Sequence, residues 1–508
     1  MSIFRTKSID ALIAASEDPE KKLRRTLGPW SLTAFGIGAV IGSGIFILTG
    51  TAAAGETLSF GSILHAPVLD LLMHGTSTLA THGRPGAGPG ISLSFLLTAF
   101  ACSFAALCYA ELASMIPIAG SAYTYAYATL GELIAWIIGW DLILEYAVSN
   151  MAVAVGFSGY LKDVLENSFG WHLPAKLADP PIVGGELSGA WFNVPALVIL
   201  LILTYILVIG VKESAGTNNA MVAIKIAAIL IFVIGAAHAV NTANWHPFLP
   251  NGFSGVLTGS AIVFFTYIGF DSVSTAAEEC KTPKRDLPIG ILISLFVCAF
   301  FYIAVALVLT GIQHWSTLGN AAPVSQALEA IGLNGVNRWV TVGALLGMIS
   351  SILVFQLGQA RVWFAMSRDG LLPPAFSRVH RKFRTPDVAT WIAGVVVAIP
   401  SGIFDIGTLA DLTNIGTLFA FILVSIAVII LRYRQPERPR GFRVPWNPWL
   451  PIVSVLFCFV LMASLTIENW LRFFAWLLIG LCVYHFYGRK HSGLSNAKLE
   501  AAAKDGAV

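Results

Sequence analysis

The sequence predicts an all-α membrane protein of 12 transmembrane helices, built as a five-plus-five inverted repeat with discontinuous helices 1 and 6 plus two additional helices. Three observations predict it. Of 508 residues, 56% are hydrophobic and only 12% charged, where a soluble domain carries about a quarter charged residues. Twelve apolar runs each come near the ~20 residues needed to cross the hydrocarbon core. Glycines interrupt the first and sixth of these runs, five apart, which is the spacing of repeats that each begin with a broken helix.

The runs lie at about 30–54, 91–115, 126–158, 193–211, 217–240, 254–280, 288–312, 337–366, 387–404, 408–431, 448–467 and 470–488. Polar or Pro-rich segments such as EECKTPKRDLP separate them. The implied organisation is a cytoplasmic tail (1–29), a core of two repeats (30–431, repeats 30–240 and 254–431), helices 11–12 (432–488) and a second cytoplasmic tail (489–508). Within the core, residues 55–90 form a long extracellular loop. It contains HAPVLDLLMHG, which reads as a short amphipathic helix, then GRPGAGPG. His65, His74 and His82 in this loop read as solvated rather than as a metal site.

Charge sets the orientation. With the N-terminus inside, 24 of the 31 Lys and Arg fall in cytoplasmic segments, including Lys21, Lys22, Arg24, Lys212, Lys382, Arg384, Lys498 and Lys504. Outer segments hold only Arg84, Lys162, Lys176, Arg338 and Arg472. The positive-inside rule then puts both termini in the cytoplasm of a multi-pass protein of the cell (plasma or inner) membrane. The N-terminus lacks the apolar core and cleavage site of a signal peptide. A formal net charge of +3 is too small for nucleic-acid binding. The six cysteines show no CxxC spacing and read as apolar packing residues; no metal and no cofactor is expected.

Gly36, Gly38, Gly42 and Gly44 fall within nine residues of run 1. Each costs about 1 kcal/mol relative to Ala in a helix interior. Backbone opened at that depth is tolerated only in a cavity or buried in protein. The alternative is a GxxxG pair, Gly38 and Gly42, that merely lets two helices approach. Run 6 reads FFTYIGFD, with Gly269 and Asp271 at mid-span, and an intramembrane Asp must be hydrated or paired. Two broken helices meeting at the midplane suit an amino acid. Amide N–H groups at a half-helix N-terminus bind a carboxylate, and carbonyls at the opposite end accept from an ammonium. Gly42, Ser43 and Gly44 are thus the expected carboxylate site, and the carbonyls of Phe265, Thr266 and Ile268 the ammonium site. Val40, Phe265, Ile268 and parts of helices 3 and 8 would carry the side chain.

GIGAVIGSGIF, FFTYIGFDSVSTAAEE, SRDGLLP and the run CYAELASMIPIAGSAYTYAYATLGELIAWIIGWDLILEY resemble the amino acid–polyamine–organocation (APC) superfamily of permeases, above all the bacterial relatives of the cationic amino acid transporters. The resemblance covers about residues 26–490. It implies the inverted-repeat fold and secondary active transport. The segment Gly55 to Gly90 is longer than the family's usual connection. Lys225 matches a helix 5 lysine of proton-coupled members, where sodium-coupled relatives bind a cation. The resemblance gives it an ammonium that contacts the opened helix 1 near Gly38 to Gly42. Low dielectric disfavours a charged ammonium, so proton coupling fits. The alternative is a permanently charged lysine paired with a carboxylate.

Asp141 and Glu145 share one face of helix 3 at i, i+4. Asp141 is expected to support the site. Glu145 would pair with Lys225, tune its proton affinity or touch a cationic substrate, or else belong to a buried polar network. Arg361 could snorkel to the cytoplasmic end of helix 8. Ser350 and Ser351 precede the level of the relatives' sodium site. By alignment to the family, Phe355 faces the substrate side chain, which favours a small or apolar one.

The leading function is therefore a proton-coupled L-amino acid permease, not an enzyme, whose partners are an amino acid, protons and the lipid bilayer. An exchanger or a cationic amino acid transporter is the alternative. A polytopic membrane enzyme or a sensor is more distant, since no histidine pairs with a buried Cys or Ser and no phosphate loop or appended domain is present.

Overall fold

A computed structural model describes residues 5–16, 25, 27–57, 62–75, 83–183, 186–209, 215–320, 322–381, 383 and 385–494. The expected tails therefore lie partly outside the described residues. So do His82, Lys21, Lys22, Arg24, Lys212, Lys382, Arg384, Lys498 and Lys504.

Every apolar run falls on a helix. Run 1 is split into α1a (Pro29–Val40) and α1b (Ser43–Ala54). Then come α2 (Ile91–Met115), α3 (Glu132–Phe169), α4 (Val194–Ile209), α5 (Ala215–Ala236) and α6 (Gly252–Val263). The second half holds α7 (Pro283–Ile312), α8 (Asn334–Arg368), α9 (Asp387–Ser401), α10 (Ile406–Arg434), α11 (Trp449–Ala463) and α12 (Ile467–Val483). Among the described residues, eight spans are long and apolar enough to cross a bilayer, and the pair α1a–α1b, bent by 42°, makes nine. The other three runs lie on the shorter apolar helices α4, α9 and α11. The protein is thus an all-α, multi-pass membrane protein.

Two boundaries differ from expectation. Run 3 was expected to begin at 126, yet Ser121–Thr129 is a separate helix and α3 starts at Glu132. Gly131, at φ +105°, makes the turn between them and accounts for the break, since side-chain-bearing residues rarely adopt that conformation. A helix at Pro323–Ala330 was not anticipated; it is only eight residues long, too short for a spanning pattern to mark.

The described parts of the long loop are held together by strand pairing and an ion pair. Gly55–Thr57 pairs antiparallel with Gly83–Pro85, and Arg84 Nη2 lies 2.9 Å from Glu56 Oε2. That guanidinium holds the Glu56 carboxyl below its ordinary range. HAPVLDLLMHG does carry a helix, Val68–His74.

α7 packs on α2 and α1a, α8 on α3 and α5, α10 on α3 and α11, and α9 on α4. The spans formed by α3 and α6 are 83% buried over their apolar windows, against 22% for α12. α3 and α6 are therefore central and α12 faces outward. Both described chain ends gather at one end of the bundle, where Lys7 Nζ lies 2.8 Å from Asp369 Oδ1 and the Gly493 amide donates to the Asp369 carbonyl at 3.0 Å.

The same end holds a buried ionic knot. Glu111, at the end of α2, accepts from Arg432 Nη2 at 2.6 Å, Arg440 Nε at 3.0 Å and the Val444 amide at 2.7 Å. Removing one member of a buried ionic group costs about 3–5 kcal/mol, because the partners stay buried without it. Glu111→Ala is expected to lower the thermal unfolding midpoint of the detergent-solubilised protein by several degrees; an unchanged midpoint would show that the two arginines find other acceptors.

Candidate functional site

The break in α1 occupies Ile41 and Gly42. Ile41 leaves the helix at φ −79°, ψ 91° and Gly42 at φ −122°, ψ −142°. In α6 the helix tightens into a 3-10 turn over Phe264–Tyr267, and Ile268 is extended at ψ 134°. Gly269 turns at φ +122°, and a second 3-10 stretch runs over Asp271–Glu279. Gly269 is a glycine for two reasons. Its φ is one that L side chains rarely adopt, and a Cβ there would sit 2.8 Å from Ala39 Cβ and 3.1 Å from the Val40 amide nitrogen. The break in α6 thus lies directly on the break in α1. Gly44 makes the other close approach: a Cβ there would lie 2.7 Å from Thr266 Cγ2.

The carbonyls freed at the end of α1a are taken up by side chains from three other helices. Lys225 Nζ, fully buried on α5, donates to the Gly38 carbonyl at 2.5 Å and the Ile41 carbonyl at 2.7 Å, and to Ser351 Oγ at 3.1 Å. Ser351 Oγ of α8 lies 2.8 Å and 3.0 Å from those same two carbonyls. Tyr302 Oη of α7 lies 2.8 Å from the Val40 carbonyl and 2.7 Å from that of Thr266, bridging the two breaks. A hydroxyl carries one proton, so these two carbonyls share it.

The structure brings most of the expected site residues together. Val40, Ser43, Phe265, Thr266, Ile268 and Phe355 are all buried. Ser43 and Gly44 open α1b, so their amides have no intrahelical acceptor, and the Ser43 hydroxyl is buried without a partner. The Gly42 amide instead donates to the Val40 carbonyl at 3.0 Å. The Phe265 carbonyl accepts from the Ile268 amide at 3.2 Å, and that of Thr266 carries Tyr302. Phe355 packs 6.2 Å, ring to ring, from Tyr146.

The acidic residues form a second group. Tyr146 Oη donates to Asp271 Oδ2 at 3.2 Å. Glu145 lies near Asp271 and one turn from Asp141, and neither of its carboxyl oxygens has a hydrogen-bond partner among the described residues. Asp141 packs against Gly416 on α10. No described cation pairs with these three carboxyls. Lys225 and Glu145 belong to separate clusters: all three hydrogen bonds of Lys225 go to α1 and α8. Arg361 pairs with Glu279, the last residue of the 3-10 stretch of the sixth span.

Sequence reasoning missed Tyr302 and Ser351. Tyr302 sits in the aromatic string FFYIAV, where nothing marks one hydroxyl as special. Ser351 was visible, but its level on α8 was set too early. Tyr302→Phe leaves two buried carbonyls without their shared proton, a loss of about 1–3 kcal/mol. It is expected to lower the unfolding midpoint more than Tyr205→Phe, an exposed tyrosine on α4; equal midpoints for the two variants would remove Tyr302 from the site.

The geometry agrees with the comparisons. Residues 27–484 match the family model described as amino acid permease. The branched-chain amino acid permease BcaP of Bacillus subtilis (strain 168) is 48% identical over 497 residues, covering 97% of this chain and 99% of that protein. The methylthioribose transporter of the same organism is 46% identical over 494 residues, with 97% and 99% covered. Cationic amino acid transporter 9, chloroplastic, of Arabidopsis thaliana is 32% identical over 565 residues, with 97% and 93% covered. The chain belongs to the amino acid permease family of the APC superfamily.

Proposed function

We propose that this chain is a secondary active transporter that carries small or neutral L-amino acids across the cell membrane by alternating access, coupled to protons, with both termini cytoplasmic. The observation that carries the reading is the contact of two opened backbones at Gly269 and Ala39–Val40. One offers the free amides of Ser43 and Gly44 at a helix N-terminus, with the buried Ser43 hydroxyl. The other offers carbonyls at the end of a 3-10 turn. An α-carboxylate and an α-ammonium need those two kinds of partner. Val40, Ile268 and Phe355, all buried, are the proposed apolar wall for the side chain, a reading supported by the branched-chain substrates in the name of the Bacillus subtilis relative BcaP.

The packing also supports the five-plus-five inverted repeat. Advancing each helix by five positions turns the α5–α8 contact into α10–α3 and the α2–α6 contact into α7–α1, and all four exist. The pairs α2–α7, α3–α8 and α4–α9 map onto themselves. α11 and α12 lie outside this scheme.

Lys225 is the proposed proton carrier. Its acceptors are two neutral carbonyls and a hydroxyl, and no described carboxylate pairs with it. Protonated, it ties α5 to the end of α1a. Deprotonated, it keeps two N–H donors but loses its charge and one donor, which weakens its bonds to the Gly38 and Ile41 carbonyls, so α1a is freer to move. Protonation and the position of α1 are then linked by hydrogen bonds alone.

A substrate with a cationic side chain is the second reading, favoured by the unpaired carboxyls of Glu145, Asp141 and Asp271. A neutral sugar derivative such as methylthioribose would leave the α1b amides and the α6 carbonyls without charged partners. Uptake of valine, arginine and methylthioribose into proteoliposomes, with and without an inward proton gradient, separates these. Gradient-stimulated accumulation of valine is expected. One-for-one counterflow alone would make the protein an exchanger, and uptake of methylthioribose alone would overturn the amino acid reading.

Lys225→Ala is expected to abolish proton-driven accumulation while leaving substrate binding measurable. Accumulation by that variant that still followed the proton gradient would eliminate the coupling role. Phe355→Ser should extend the substrate range to longer side chains, and an unaltered profile would place Phe355 away from the substrate.

A further inference from the structure

An apolar cavity lies away from the two breaks, at the end of the bundle opposite the gathered termini. Its volume is ≈ 260 Å³, and its walls come from the helix Val68–His74, the first turns of α6 and the turn after α11. The helix Val68–His74 is fixed over this end by backbone bonds to the α11–α12 turn. The Val68 amide donates to the Leu465 carbonyl at 3.1 Å, and the Ile467 amide to that of Ala66 at 3.0 Å. Its other side stands away from Phe253 and Leu257 of α6 and leaves the cavity between them.

The lining dictates what can fill it. Pro67, Leu69, Met73, Phe253 and Leu257 are apolar. Two of the lining hydroxyls are already spent on their own helices, Thr258 Oγ1 on the Ser254 carbonyl at 3.0 Å and Ser464 Oγ on the Val460 carbonyl at 2.9 Å. A buried water needs two to four polar partners, and a polar solute needs more, so neither is well held there. Asp70 is the one charged group in the wall, and no described cation pairs with it.

The cavity also continues onto the outside of the bundle. Ser464, Val460 and Leu456 recur every four residues and so share one face of α11. Val460 and Leu456 are exposed, as are Phe253 and Met73 at the mouth. In a protein that spans a bilayer, such an exposed apolar stripe is covered by acyl chains.

We infer that this cavity is a binding site for one phospholipid with an amine headgroup, its acyl chain entering along Val460 and Leu456 to lie against Leu257 and its ammonium paired with Asp70. The site is independent of the transported substrate. Occupancy would brace the first turns of α6, the helix whose far end carries the Thr266 carbonyl.

The test uses the full chain in nanodiscs doped with phosphatidylethanolamine or phosphatidylglycerol bearing the same photoactivatable acyl chain, followed by peptide mapping of the adducts. Adducts are expected on 68–73 and 253–258, several-fold more from the amine lipid. Leu257→Trp, which fills the cavity, should reduce them several-fold, and Asp70→Asn, which removes only the charge in the wall, should equalise the two lipids without reducing acyl labelling. Wild-type labelling spread evenly over the bundle would overturn the site, as would labelling that Leu257→Trp leaves unchanged. Equal labelling by both lipids in the wild type would overturn the headgroup assignment. Cross-links between two copies of the chain through these residues would assign the face to a dimer instead.

Discussion

The structure depends on one constraint: peptide groups opened at mid-bilayer must find partners inside the protein. In water an unwound turn is cheap, because solvent satisfies it. In hydrocarbon each unsatisfied group costs several kcal/mol. The ends of α1a and the 3-10 turn of α6 therefore survive only because α5, α7 and α8 each send a polar side chain to them. Lys225, Tyr302 and Ser351 all reach the bared carbonyls of Gly38, Val40, Ile41 and Thr266. These side chains define the site by holding the backbone open as much as by touching anything that enters it.

That arrangement explains why glycine recurs at the contact. Two backbones can exchange partners only if they come within van der Waals reach of one another, and a single methyl group at Gly269 or Gly44 would fill the space that permits it. The tyrosine bridge depends on the same closeness. Tyr302 can span the Val40 and Thr266 carbonyls at 2.8 Å and 2.7 Å only because no side chain separates α1 from α6 at this level. Packing, backbone strain and hydrogen bonding are here one feature seen three ways.

How much of this was legible in the sequence follows from which signals are periodic or chemically conspicuous. The twelve apolar runs were legible because spanning length is a coarse property that survives errors of several residues. The breaks at Gly42 and Gly269 were legible because glycine clusters and an aspartate are costly in lipid. Lys225 stood out for the same reason. The helix Ser121–Thr129 was not separable from α3, since its tyrosines and alanines continue the apolar texture and only Gly131 marks the turn. Tyr302 was hidden because one hydroxyl among aromatic neighbours carries no distinguishing pattern; its importance comes from where α7 is packed. Glu145 was visible as an intramembrane acid sharing a helix face with Asp141, but its nearness to Asp271 follows from how α3 meets α6, a distance no spacing encodes.

The separation of the two charged clusters has its own consequence. Lys225 is held among neutral acceptors on the α5–α8 side of α1, while the carboxyls of Glu145, Asp141 and Asp271 gather with Tyr146 between α3, α6 and α10. Had Lys225 been locked to a carboxylate, the attraction would oppose loss of its proton, and the hydrogen bonds it makes to α1 would be permanent. Among neutral oxygens, the same bonds weaken when the proton leaves, because the amine then has two donors and no charge. The carboxyls have no paired cation among the described residues and so remain open to positive charge. Keeping Lys225 and the acids in separate clusters lets one hold α1 in place independently of the other, the division that the proposed coupling to protons would need.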